Sequence, residues 1–196
     1  MGSSTVQEKG FIRERYRRER RELSSAEQAT RASRLASLAS RAPLDGAATV
    51  AAYIACDGEL DPASLLERLA AAGTGLLLPR TGTGRSLELA EIGSDATRAP
   101  TGPAGIPEPT GPACNLREVA KPAILLVPSV ALSRDGGRLG RGGGYFDRFL
   151  PRVRSAGWVV AGVCHARHIV DQLPLEGHDI RVDALLSEEG WQETTR

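Results

Sequence analysis

A chain of 196 residues with 41% hydrophobic content is long enough to bury one sizeable core, and its length fits one domain better than two. Lysine and arginine total 25 against 24 acidic residues, which gives no general drive toward nucleic acid or anionic membrane, so any anion site has to be local. No stretch approaches the ~18 consecutive apolar residues of a membrane span, and the start carries no apolar secretory segment. These features predict a cytoplasmic protein with no membrane or nucleic-acid partner.

Residues 1–7 are small and polar and are set apart as a disordered start or tag remnant, leaving 8–196 as the single domain. From Val6 to Leu23 the chain is dense in charge, six arginines from Arg13 to Arg21 being interleaved with Glu14, Glu19 and Glu22, which suits a solvated helix with Ile12, Tyr16 and Leu23 on its buried stripe. Ser24 and Glu27 have capping-box spacing and open a second helix. Thr49–Ile54 is a short apolar run of strand length, and Asp61-Pro62 supplies an N-cap and first helical position for a helix that stops near Gly73. Leu76–Pro79 is a second buried strand, and Ser86–Ile92 alternates as a strand does. Glycines and prolines between Ala99 and Pro112 predict an irregular loop. Ala123–Val127 and Trp158–Val163 are further buried strands, separated by a helical stretch. Such alternation predicts an α/β fold with a largely parallel sheet flanked by helices and ligand-binding loops beyond the C-terminal strand ends.

The segment Arg138-Leu139-Gly140-Arg141-Gly142-Gly143-Gly144-Tyr145-Phe146-Asp147-Arg148 lies between a strand ending at Pro128 and a helix. Its glycines let successive N–H groups turn into one concavity, and the helix start adds its positive dipole end, which together favour a phosphate. Arg138 and Arg141 add fixed charge, and Asp147 is placed to hold a magnesium ion bridging the phosphates. The bland alternative is a surface turn. The segment is neither a P-loop nor a dinucleotide fingerprint, so the residues alone reach a phosphate or nucleotide site and no further.

From Leu126-Val127-Pro128 through Leu150, this segment resembles the hallmark of the 5-formyltetrahydrofolate cyclo-ligases. Similarity extends in order to Lys9 and Arg13, Glu59, Leu78-Pro79-Arg80, Gly105–Pro109, and Leu173-Pro174 through Asp179 and Asp183. The resemblance implies a three-layer fold of the NagB/RpiA/CoA transferase-like kind, acting as a monomer. It also implies ATP- and Mg2+-dependent closure of 5-formyltetrahydrofolate to 5,10-methenyltetrahydrofolate. By the same matching Lys9, Arg13 and Arg138 to Phe146 (Arg138, Leu139, Gly140, Arg141, Gly142, Gly143, Gly144, Tyr145, Phe146) bind ATP. Asp147 and Asp179 are implied as the metal ligands, and Ile54, Glu59, Arg141 and Tyr145 as substrate contacts. Arg138, Arg141 and Tyr145 are the implied catalytic groups.

His165 and His168 have His-x-x-His spacing with His178 downstream, yet no clear cysteine or carboxylate complement sits beside them, Cys164 being an adjacent strand residue that points to the opposite face, so packed or surface roles are expected over a zinc site. Both fall where the family commonly has an aromatic residue and a glutamine. Phe146 replaces a frequent tyrosine, and Ser129 and Leu132 stand where glycine and phenylalanine are common. These departures touch pocket shape more than phosphate binding. They also motivate a rival function, a non-catalytic homologue that sequesters reduced folate.

Overall fold

In a computed structural model, which describes residues 2–41, 43–92, 102, 105–177 and 179–195, the apolar runs become the strands of a twisted sheet. The strands are β1 (Thr49–Ala51), β2 (Gly75–Thr81), β3 (Leu87–Glu91), β4 (Ala123–Pro128), β7 (Val159–Val163), β9 (Ala184–Ser187) and β10 (Gly190–Glu193). Their order is β10-β9-β7-β4-β1-β2-β3. β1, β2, β4, β7 and β9 run parallel, and β3 and β10 close the two edges antiparallel. The mainly parallel α/β sheet follows from the strand and helix alternation in the sequence. β3 is the alternating segment, as a strand covered on one face requires.

Side-chain alternation sorts the sheet into two faces. Val50, Ile124, Leu126, Ala161 and Leu186 pack beneath α2 (Ser25–Ala36) and α3 (Ala63–Ala71) with Leu35, Leu65 and Leu69. Ala51, Leu77, Leu125, Val127 and Leu185 face Phe149, Leu150 and Val153 of α4 (Tyr145–Ser155). The result is helices over both faces of one sheet, each face buried as parallel strands demand.

The capping box of α2 forms, with Ser24 and Glu27 exchanging both bonds. At α3 the regular helix starts one residue later than the sequence suggests: Pro62 is the N-cap, and Asp61 Oδ1 accepts from the Ala63 N–H at 2.9 Å. β1 ends at Ala51 rather than Ile54, although Ala52 still donates to the Leu77 carbonyl at 3.1 Å. The first helix, α1 (Gly2–Arg21), takes in residues 2–7, so the described part of that segment is helical rather than a disordered start.

Five strands were not read in the sequence: β9 and β10 at one edge of the main sheet, and three short ones. β5 (Ala131–Ser133), β6 (Arg138–Leu139) and β8 (Ile169–Val170) form a second small sheet in the order β6-β5-β8. Tyr16 and Ile12 of α1 pack on it against Val130, Ala131 and Leu139. This sheet carries the start of the glycine-rich segment and docks α1 beside it. Among the described residues, no helix is long and apolar enough to cross a membrane.

Candidate active site

The glycine-rich segment leaves β6 at Leu139 and enters α4 at Tyr145. Gly142 has φ +97° and Gly144, the N-cap of α4, has φ +67°. A Cβ at Gly144 would also come within 2.9 Å of the Arg148 guanidinium. These two positions need glycine because L side chains rarely adopt that backbone region.

The loop is a partition between two cavities. The first, of about 270 Å3, is lined by Tyr53, Ile54, Cys56, Glu59, Pro79, Leu87, Ile106, Pro107, Pro128, Arg141, Gly143, Tyr145 and Phe146, among others. The second, of about 450 Å3, is lined by Lys9, Arg13, Leu139, Arg148, Glu176 and Asp179. Arg138, Gly140, Gly142, Gly144 and Asp147 line both.

The second cavity is strongly polar. Lys9, buried at 6% exposure, reaches Glu176 at 2.8 Å and Asp179 at 2.6 Å. Burial opposes its charge, but the hydrogen bonds it donates to Asp179 and Glu176, with the attraction of those carboxylates, outweigh that and hold Lys9 above the ordinary lysine value. Arg13 Nε donates to the Gly140 carbonyl at 2.9 Å, fixing α1 to the loop. Arg138, buried at 5% exposure, pairs with Asp147 in the first turn of α4.

In the first cavity the floor is the turn after β1. Glu59, 8% exposed, accepts from the Cys56 N–H at 3.2 Å, and Arg20 Nη1 lies 3.9 Å from its other oxygen. Burial raises the Glu59 carboxyl, and the Cys56 N–H, Arg20 and Arg141 pull it back in part. Arg141 bonds to Asp57 and to the Cys56 thiol across the cavity mouth. Burial and the nearby Glu59 carboxylate push that thiol up to about 11, so it is no ready nucleophile. Arg80 bonds to Glu88 and to the Gly111 carbonyl at 3.1 Å, and Glu108 accepts from the Thr81 N–H at 3.0 Å, which seats residues 105–111 along the opposite wall.

The fifteen residues singled out in the sequence therefore divide. Lys9, Arg13, Leu139, Asp179 and the shared group Arg138, Gly140, Gly142, Gly144 and Asp147 meet at the polar cavity. Arg141, Gly143, Tyr145 and Phe146, grouped with ATP in the sequence, line the apolar one together with Ile54 and Glu59. The split arises because the backbone at Gly142 and Gly144 turns neighbouring side chains to opposite sides of the loop. Glu176, Arg148 and Arg20 were missed. Arg20 was hidden among six arginines, although its spacing from Lys9, Arg13 and Tyr16 puts it on the same face of α1.

His165 and His168 are buried and line neither described cavity. His165 Nε2 bonds to the Gly58 carbonyl at 2.9 Å, and the two imidazoles meet edge to face at 5.6 Å. They thus support the Glu59 turn from behind instead of shaping the pocket wall. His178 lies outside the described residues. Among the described residues, no group of three or more His, Cys, Asp or Glu side chains is arranged to hold a metal by itself. Asp147 and Asp179 are nevertheless hard oxygen donors lining one cavity, the donor type that suits magnesium, and each is paired with a cation.

The chain is 29% identical over 148 residues to the 5-formyltetrahydrofolate cyclo-ligase of Escherichia coli K12, covering 74% of this chain and 80% of that one. It superposes on the NMR structure of Aquifex aeolicus 5,10-methenyltetrahydrofolate synthetase with a TM-score of 0.80 and 29% identity, covering 96% of this chain and 93% of the other. A 5,10-methenyltetrahydrofolate synthetase from Mycoplasma pneumoniae, 18% identical, shares the fold with a TM-score of 0.72 over 92% of this chain and 98% of its own. Residues 5–188 match the sequence model of one family, a span that holds the loop, both cavities and every strand but β10, and the chain belongs to that 5-formyltetrahydrofolate cyclo-ligase family.

Proposed function

We propose that this protein uses ATP and Mg2+ to convert 5-formyltetrahydrofolate into 5,10-methenyltetrahydrofolate, releasing ADP and phosphate. One observation carries this reading: a phosphate-binding type of loop forms the common wall of a polar cavity and an apolar one. Two substrates bound on either side of such a wall meet at Arg138 and the loop N–H groups, which is where a phosphoryl group has to pass between them.

A formamide oxygen is a poor leaving group. Transfer of the γ-phosphoryl group from ATP to that oxygen turns it into a phosphate ester; N10 then attacks the formyl carbon and gives up its proton, the C–O bond breaks, and phosphate leaves with ADP already formed. The chain's part is to position and neutralise. Lys9 and Arg13 hold the nucleotide phosphates, and Arg138 and the N–H groups of Gly140 to Gly144 balance charge on the transferring group. Tyr145, Ile54 and Phe146 pack the pterin, Glu59 accepts from its N–H donors, and Arg141 closes the mouth. Asp147 and Asp179 would hold Mg2+, which supplies charge neutralisation at the phosphate oxygens.

Both cavities are lined by one chain, which supports a monomer as the working unit. Of the departures behind the binding-only reading, His165 and His168 line neither cavity, which leaves Phe146, on the wall of the apolar one, as the observation that favours it. Purified protein mixed with 5-formyltetrahydrofolate and Mg-ATP is expected to form methenyltetrahydrofolate, followed by absorbance, and to form none without ATP or metal. Tight binding of both ligands with no product would instead mark a folate-sequestering protein.

A further inference from the structure

α1 serves both cavities. Lys9 and Arg13 face the polar one, and two turns beyond Arg13 the same helix face presents Arg20 to the floor of the other. Arg20 is 2% exposed, and its Nε has no hydrogen-bond partner among the described residues. Its ion-pair partner is Glu59, whose side chain is 4% exposed on the same scale. A guanidinium buried this deeply is tolerated only against a full negative charge. The backbones are also in contact: a Cβ at Gly58, which has φ +70°, would sit 3.0 Å from the Arg20 carbonyl oxygen. His165 holds the Gly58 carbonyl from the far side. The turn bearing Glu59 is therefore gripped between α1 and the segment after β7.

We propose that Arg20 is a positioning residue that keeps Glu59 ionised and aimed into the apolar cavity, so that it accepts the N–H donors of the bound pterin. The proposal rests on the folate reading of that cavity. Burial alone favours the protonated carboxyl, which loses an acceptor and gains a donor; Arg20 opposes that change. The other groups facing Glu59 are Arg141 from the loop and Cys56 and Tyr53 from the chain around the turn. They are common to wild type and variants, so a shift between the two reports on Arg20.

The test compares wild type, Arg20→Lys, Arg20→Met, Glu59→Gln and the Arg20→Met/Glu59→Gln double variant. Affinity for 5-formyltetrahydrofolate is measured by calorimetry, and the KM for each substrate by turnover across pH. Arg20→Met should weaken folate binding and raise its KM roughly 10-fold, the scale of one lost charge-assisted interaction. Its KM for ATP should stay within about twofold. The acid limb of kcat/KM for the folate should move to higher pH, and Arg20→Lys should restore most of the loss. The double variant should be no worse than Glu59→Gln. Equal loss toward both substrates, an unmoved acid limb, or full additivity in the double variant overturns the proposal. If Arg20→Met does not fold, the comparison of Glu59→Gln with the double variant, which lacks both charges, still decides: a further loss of folate affinity overturns it. Should wild type bind folate without turnover, the proposed activity falls while the affinity cycle still judges Arg20. No folate binding by wild type overturns both.

Discussion

Lys9 and Asp147 put opposite charges on the polar cavity, each paired within the chain. Lys9→Met should raise the KM for ATP roughly 10- to 100-fold, because it removes a charge-assisted phosphate contact, and should leave the folate KM unchanged. Asp147→Asn should abolish Mg2+-supported turnover and lower stability by about 2 kcal/mol, since Arg138 stays buried while its partner, about a third exposed, becomes neutral. Steady-state kinetics with each substrate varied in turn and a urea titration check both. The residues carrying charge at the site were legible as types in a pattern: Lys9 and Arg13 share a helix face by their spacing, and the glycines announce a tight loop. Their distribution between two cavities was not, because it depends on φ at Gly142 and Gly144, which no periodicity encodes. Arg20 was legible only in retrospect. The buried face of α1 runs through Lys9, Tyr16 and Arg20, and the sequence exposes its apolar members while disguising its charged ones.

Elements were easiest to place where burial is two-sided. β4, with every residue from Ala123 to Val127 buried, and β7 could be read almost to the residue. β5, β6 and β8 could not, since strands of two or three residues carry no period, and their pairing is made by partners far along the chain. Glycines at the element scale divide by backbone need. Gly10 lies exposed within α1 with nothing near a new Cβ, so Gly10→Ala should stabilise the protein by about 1 kcal/mol, a rise of about 2–4 °C in Tm. Gly142→Ala places a side chain at φ +97° and should destabilise by about 1–2 kcal/mol while weakening ATP binding. Thermal melts with and without nucleotide distinguish the two effects.

Across the whole molecule, the parallel α/β architecture emerges from the order of apolar runs, and the two faces of the sheet from alternation along them. Stability as a function of pH adds a signature that the order alone does not give. Burial pushes His168 down to about 3, with the neighbouring His165 and arginines contributing, and burial lowers His165 as well. A histidine held neutral in the fold but free to protonate when unfolded makes the unfolded state bind more protons between those two values. His168 should therefore contribute loss of stability as pH falls below the ordinary 6.5 toward about 3, at up to about 1 kcal/mol per pH unit. His168→Gln should flatten that slope in chemical denaturation measured at stepped pH; an unchanged slope would remove His168 as its source.

The bond from Lys9 to Asp179 joins positions 170 residues apart, and Arg13 reaches Gly140 across 127. During synthesis α1 leaves the ribosome well before Gly140 and Asp179, the residues that its side chains reach. The helix must wait, carrying its arginines into the surrounding solution, until almost the entire sheet has emerged. Translation at about 5–20 residues per second makes that interval of the order of ten seconds or more. Nascent chains stalled short of residue 176 should leave α1 open to proteolysis, and the ability to retain nucleotide should arise only once Glu176 and Asp179 have emerged.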